Sequence, residues 1–160
     1  MTAHYLSLSR TVAASPQRVW QVITDLDGAA QTLSGVSTVE RLTDGPYALG
    51  TRWRETRTMF GKATTEEMWV SALDPARSTT VEASSRGTDY RTVFDLAPTA
   101  SGTGTELTMR FSAQAAQAAQ ATGVQKLLMR VFGRLALRAT RSAMQRDLDD
   151  IATAAEGPAR

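Results

Sequence analysis

Polar and apolar positions alternate from the start of the chain, where Leu6, Leu8 and Val12 are separated by Ser7, Ser9 and Thr11. A period of two belongs to a strand with one buried face. It predicts a strand over 5–13, with Arg10 as the one charged residue on the apolar face. The period then changes. Val19, Trp20, Ile23 and Leu26 recur at helical spacing after Ser15-Pro16, an N-cap oxygen followed by a first helical residue with no N–H to satisfy. A helix over 16–26 follows, and Asp27 is placed to cap a second short helix through Ala29, Ala30 and Leu33 that Ser34-Gly35 closes.

From 36 to 113 the chain reads as short strands punctuated by Asp44-Gly45-Pro46, Gly61-Lys62, Asp74-Pro75, Gly87 and a Ser/Gly/Thr cluster at 101–104. Six strands fit, near 36–42, 50–59, 64–73, 78–85, 89–97 and 105–113. Their short connections predict antiparallel neighbours and a seven-stranded meander. Alternation points Val81, Ala83, Tyr90, Phe94, Leu96, Leu107, Met109 and Phe111 inward. The facing surface comes from the last forty residues. There Val124, Leu127, Leu128, Val131, Phe132, Leu135, Leu148, Ile151 and Ala155 repeat at threes and fours, predicting a helix over 123–155. At 1.5 Å per residue that helix is roughly 48 Å long, more than the width of the sheet. Gly133, which costs about 1 kcal/mol relative to Ala in a helix interior, marks a bend or a close backbone contact there, with helix packing and a cavity role as the two readings. The expected fold class is α+β: a seven-stranded curved antiparallel sheet gripping a long C-terminal helix, with two short helices after the first strand.

Composition narrows the chemistry. With 160 residues, 42% of them apolar, the chain is expected to form one domain over 1–160 with an ordered core of about 5–155. There is no Cys, and the lone His4 lies at the terminus. Thiolate catalysis, disulfides and Cys- or His-based metal sites are therefore excluded, and no metal or cofactor is expected. No apolar run reaches the length of a membrane span and no signal-peptide pattern opens the chain, which predicts a cytoplasmic protein.

The net charge of +2 hides an asymmetry, because residues 123–146 carry six bases and no acid. Lys126, Arg130, Arg134 and Arg138 step by four and form a stripe on one helix face. Its plain reading is a solvated face whose Arg stems shield the apolar stripe; the alternative is peripheral docking on an anionic membrane, at about 1 kcal/mol per base. Nucleic acid is not expected, since Phe132 alone adjoins the stripe and no stacking platform accompanies it. The long helix and an edge strand each offer a surface for a homodimer.

The order of elements, together with SRTVAASPQRVWQVITDL at 9–26, GTRWRE at 50–55, Asp74-Pro75 and Gly104-Thr105, resembles the helix-grip fold of the START-like (SRPBCC) superfamily. That superfamily includes Bet v 1-like proteins and polyketide cyclase/dehydrase-type domains. The resemblance covers roughly 5–155 and implies an apolar cavity of about 300–1,000 Å³ between sheet and helix. One departure stands out: Ala29, Ala30 and Thr32 occupy a short helix that in such proteins often turns a Trp or Tyr to the pocket. The expected lining is Trp53, Met68, Val70, Tyr90, Phe94, Met109 and Phe111 from the sheet and Phe132 from the helix, with a filled core as the competing reading.

Inward polar residues depend on strand register. With Gly61-Lys62 as a two-residue loop, opposed positions sum to 123, pairing Trp53 with Val70, Glu55 with Met68 and Arg57 with Glu66 on the inner face. Arg54 then opposes Trp69, and Thr56 opposes Glu67, on the outer face. Glu55, Arg57, Glu66 and Arg10 are the resulting polar candidates, against a plain solvated face with surface ion pairs. Two functions fit. A binding protein would hold a hydrophobic small molecule such as a lipid or polyketide, its polar end fixed by Tyr90 and one inward charge. An enzyme resembling polyketide cyclases would promote aldol closure or dehydration, with Glu55 as general base and Arg57 or Arg10 stabilising the enolate.

Overall fold

In the computed structural model the alternating N-terminal segment forms β1 (His4–Val12), and the helical signals that follow form α1 (Pro16–Thr24) and α2 (Ala29–Thr32). The structure describes the backbone of residues 4–59, 61–115 and 123–158, and the side chains of 5–58, 61–114 and 133–158. The expectations for the side chains of Lys126, Arg130 and Phe132 lie outside the described residues. Ser15 caps α1 as its sequence position requires, accepting from the Arg18 N–H at 3.2 Å. Asp27 does not cap α2. Gly28 is the N-cap residue, its N–H is taken by Asp25 Oδ1 at 3.0 Å, and Asp27 instead pairs with Arg41 at 3.5 Å.

The remaining strands are β2 (Val36–Arg41), β3 (Arg52–Met59), β4 (Lys62–Asp74), β5 (Ser78–Ser85), β6 (Thr88–Pro98) and β7 (Thr105–Ala115). The antiparallel sheet runs β1-β7-β6-β5-β4-β3-β2. From β2 to β7 it is the meander that the short connections dictate. β1 departs from it by pairing with β7, so the two helices carry the chain from one edge of the sheet to the other. Gly104 enters β7 where that strand meets the end of β1; a Cβ there would lie 2.7 Å from the Val12 carbonyl oxygen, an approach only glycine permits.

The inner face is gripped by α3 (Gly123–Glu156), 34 residues and thus roughly 51 Å long. Met144, Leu148, Ile151 and Ala155 pack with Leu8, Val12, Leu107 and Met109 of the edge pair β1 and β7, and with Val19 of α1. Burying each large apolar side chain contributes about 1.5–3 kcal/mol. A second cluster of Leu26, Trp53, Val70 and Val81 lies under the other half of the sheet. Arg134, Arg138 and Arg141 point outward, and so does Leu135, which is 53% exposed rather than part of the buried stripe. Gly133 makes no close backbone contact: a Cβ there would meet nothing within 4 Å. Among the described residues no helix is long and apolar enough to cross a membrane.

The β3–β4 register differs from the expectation by two residues. Met59 pairs with Lys62, leaving Gly61 (φ 72°) as the last loop residue, where its positive φ serves the tight turn. Trp53 therefore opposes Met68, Glu55 opposes Glu66, Arg57 opposes Thr64 and Thr56 opposes Thr65. A shift of two preserves faces, so Trp53, Glu55, Arg57, Glu66, Met68 and Val70 remain on one side while every partner changes. The anticipated cross-strand Arg57–Glu66 pair is replaced by two facing glutamates. On the outer face it is Arg52, not Arg54, that stacks over Trp69, at 5.2 Å.

Candidate functional site

The positions of α3 that face the sheet change character along the helix. Toward the C-terminus they are Met144, Leu148 and Ile151, which pack with the core of β1 and β7; upstream they are Gly133, Ala136, Leu137, Thr140 and Ala143, small except for Leu137. A cavity of about 470 Å³ remains between helix and sheet. Its sheet wall holds Trp53, Met68, Tyr90, Phe94, Met109 and Phe111, with Tyr90 stacked on Phe111 at 6.0 Å. α1 contributes Val22 and Ile23, and the α2 region contributes Ala29, Thr32 and Leu33.

α2 thus gives small side chains to the wall, and an aromatic ring comes from elsewhere. Tyr47, on the β2–β3 connection, lies 6.3 Å from both Trp20 and Trp53. Its hydroxyl is 2.9 Å from Thr79 Oγ1. Burial pushes the phenol pKa up, against the effect of the Thr79 hydrogen bond, so Tyr47 presents a neutral phenol.

Three of the charged side chains at the cavity form one group. Arg57 Nε donates to Glu55 Oε1 at 2.5 Å, and Arg57 Nη1 reaches Asp147 Oδ2 at 2.9 Å and Oδ1 at 3.1 Å. Trp53 Nε1 donates to the second oxygen of Glu55 at 3.4 Å. The side chains of Glu55 and Asp147 are only 8% and 6% exposed. Glu55 and Arg57 share a face because they are two apart in β3; Asp147 arrives from α3. Buried carboxylates without a cation would cost several kcal/mol each, and here two of them share one guanidinium. Burial disfavours the Arg57 charge, yet Asp147 and Glu55 outweigh it and hold the guanidinium protonated. Burial raises the Asp147 pKa to about 6, helped by the like charges of Glu55 and Asp150 and opposed by Arg57.

Glu66 also lines the cavity, half-buried and directly across from Glu55, with no hydrogen bond or ion pair among the described residues. The other expected residues lie elsewhere. Arg10 is on the inner face but outside the cavity, bound to Asp149 of α3. Val70 is buried in the second apolar cluster and does not line the cavity. Asp147, Tyr47 and, apart from Gly133, the α3 residues of the wall escaped the sequence reading. Asp147 carried a signal all the same: it is an acid set between Met144, Leu148 and Ile151 in an otherwise apolar stripe.

The Asp147 shift has a consequence for stability. Between about pH 4 and 6 the native protein holds a proton on Asp147 that the unfolded chain, with an Asp pKa of 3.8, releases. The native state binds more protons there, so this group's contribution to stability falls as pH rises through that window. Asp147→Asn is expected to remove that component, so urea midpoints of wild type and variant should converge below about pH 4 and diverge, wild type falling relative to the variant, up to about pH 6. A carboxyl-carbon NMR titration of Asp147 with its midpoint near 4 would contradict the shift.

The profile of the family described as polyketide cyclase / dehydrase and lipid transport matches residues 3–156. No curated protein sequence matches the chain significantly. Among solved structures, the Zhui aromatase/cyclase from Streptomyces sp. R1128 superimposes with a TM-score of 0.76 at 19% identity, covering 97% of this chain and 94% of that one. TTHA0849 from Thermus thermophilus gives 0.76 at 17% identity, with 95% and 97% covered. Ara h 8.0201 gives 0.69 at 13% identity, with 96% and 98% covered. At these identities the structures share the helix-grip fold, seven curved antiparallel strands around a long C-terminal helix. With a family profile spanning all its elements and a cavity between sheet and helix, the chain belongs to the polyketide cyclase/dehydrase and lipid transport family.

Proposed function

We propose that the protein binds an apolar small molecule in the cavity between sheet and α3, with the polar end of that molecule at the Glu55–Arg57–Asp147 group. The observation that carries this reading is the space left between sheet and α3, over which the helix turns the small residues Gly133, Ala136, Thr140 and Ala143 with Leu137 as the one large side chain among them. Unfilled space costs stability at roughly 24 cal/mol per Å³, and larger side chains at these positions would remove it. The family description includes lipid transport, and a volume of about 470 Å³ lies within the range of small-molecule sites. Gly133 provides the test, because a side chain there enters open space. Gly133→Leu is expected to weaken binding of a neutral solvatochromic dye by roughly tenfold or more and to abolish any apolar adduct in native mass spectrometry. Its melting temperature should hold or rise, since a poor helix former is replaced. Unchanged dye affinity in a folded variant would move the binding site away from the cavity.

A catalytic reading is favoured by one feature, a buried carboxyl at the cavity with a pKa of about 6. Such a group suits proton transfer near neutral pH, and the structural likeness extends to an aromatase/cyclase. In this reading Asp147 and Glu55 exchange protons with a poly-keto chain. Arg57, already bound through Nε and Nη1, holds the carboxylates in place. Arg10 is too engaged with Asp149, and outside the lining, to meet an enolate. Asp147→Asn should lower turnover of a poly-β-ketone by about 10²–10⁴-fold while dye binding persists; unaltered turnover removes Asp147 from the chemistry.

A peripheral contact with an anionic membrane is supported by the outer face of α3, where exposed Leu135 stands beside exposed Arg134 and Arg138. At about 1 kcal/mol per base, Arg134→Glu with Arg138→Glu should abolish co-sedimentation with phosphatidylserine vesicles at low salt. Absence of wild-type binding at low salt would end this reading.

A further inference from the structure

We infer that the molecule held in this cavity carries a cationic group, an amine or ammonium, at its polar end. The inference rests on the cavity being the binding site and concerns what that cavity selects.

Its charged lining can be accounted for side chain by side chain. Five charged residues of the described chain reach the wall: Glu55, Arg57, Glu66, Glu82 and Asp147. Glu82 turns its carboxylate to Arg91 at 3.5 Å, away from the interior, and leaves the account. Three carboxylates then face one guanidinium. Two of them already engage Nε and Nη1 of that guanidinium, so its single positive charge is offset twice over, although Nη2 keeps its donors.

The third, Glu66, has no partner of its own among the described residues and sits directly opposite Glu55 in the β3–β4 ladder. Like charges at opposed positions destabilise a sheet pair, and the apolar walls strengthen that repulsion by lowering the local dielectric. A cation between the two strands would relieve it. The carboxylates do not gather tightly enough to hold a metal ion, since no group of three potential ligands occurs among the described residues. An organic cation attached to an apolar body satisfies both halves of the lining. Trp53, whose indole N–H meets Glu55 at 3.4 Å, places an aromatic ring beside the carboxylates, where a cation gains further attraction. A fatty-acid carboxylate in the same position would meet three like charges and an arginine already bound twice.

The test uses decylamine, decanol and decanoate, which differ only in the headgroup, as competitors for the neutral dye at about pH 8, where Asp147 is ionised. Decylamine is expected to displace the dye at a concentration roughly tenfold or more below that of decanol, with decanoate weakest. Glu66→Gln should narrow the amine-to-alcohol gap by raising the decylamine concentration needed, while Gly133→Leu should weaken dye binding roughly tenfold or more. Decanoate or decanol competing as well as decylamine overturns the cationic assignment and leaves the cavity as a binding site. If the wild type binds neither the dye nor any of the three amphiphiles, the binding reading itself fails and the inference falls with it.

Discussion

The packing of Met144, Leu148, Ile151 and Ala155 against β1, β7 and α1 sets the position of everything else. α3 is one continuous helix of 34 residues, and a helix bends sharply only at a defect such as a proline or an inserted side chain. Once its C-terminal half is anchored, its upstream half cannot close onto the sheet independently. Whether that half meets the sheet then depends on side-chain length, and from Gly133 to Ala143 the residues lining the space are small except for Leu137. The cavity is thus the joint product of an anchored rod and a short lining. Gly133 adds to the volume, since a Cβ there would meet nothing within 4 Å.

Electrostatics reinforce the same anchor. Three acids within four residues of α3 contact three different parts of the fold. Asp147 binds Arg57 of β3, Asp149 binds Arg10 of β1, and Asp150 accepts from the backbone N–H and hydroxyl of Ser34, both at 2.7 Å. β1 is one edge of the sheet and β3 adjoins the other, so these contacts span its full width. The half-exposed Arg10–Asp149 pair adds little free energy. The Arg57 group differs: buried and shared between two carboxylates, it places charge at an apolar cavity, where a lost partner would leave an uncompensated ion. It is both a fastening of helix to sheet and the main polar feature that a bound molecule would meet.

How much of this was legible in the chain varies with the physical origin of each feature. Strand and helix periods, the Ser15-Pro16 start of α1 and the inward set of Trp53, Glu55, Arg57 and Glu66 follow from alternation, which survives any even shift of register. The partners of those residues did not follow. Loop placement at Gly61 decided whether Glu66 faces Arg57 or Glu55, and the sequence pattern favoured the ion pair with Arg57 that the structure does not form. Arg10 was read to the correct face but the wrong neighbourhood, because a face is local whereas the element covering it is not. Asp147 was visible as an anomaly in an apolar stripe, yet its partner lies ninety residues away in β3.

The sequence by itself determined the element order, the two faces of each strand and the amphipathic character of the last helix, because these depend on side chains spaced two to four residues apart. Only the tertiary structure decided that β1 joins β7 rather than β2, that two glutamates confront each other across β3 and β4, and that small residues of α3 stand over the sheet to leave a cavity. Those outcomes depend on which surfaces of a compact chain come together, a balance of packing and burial among residues far apart in sequence that no local period encodes.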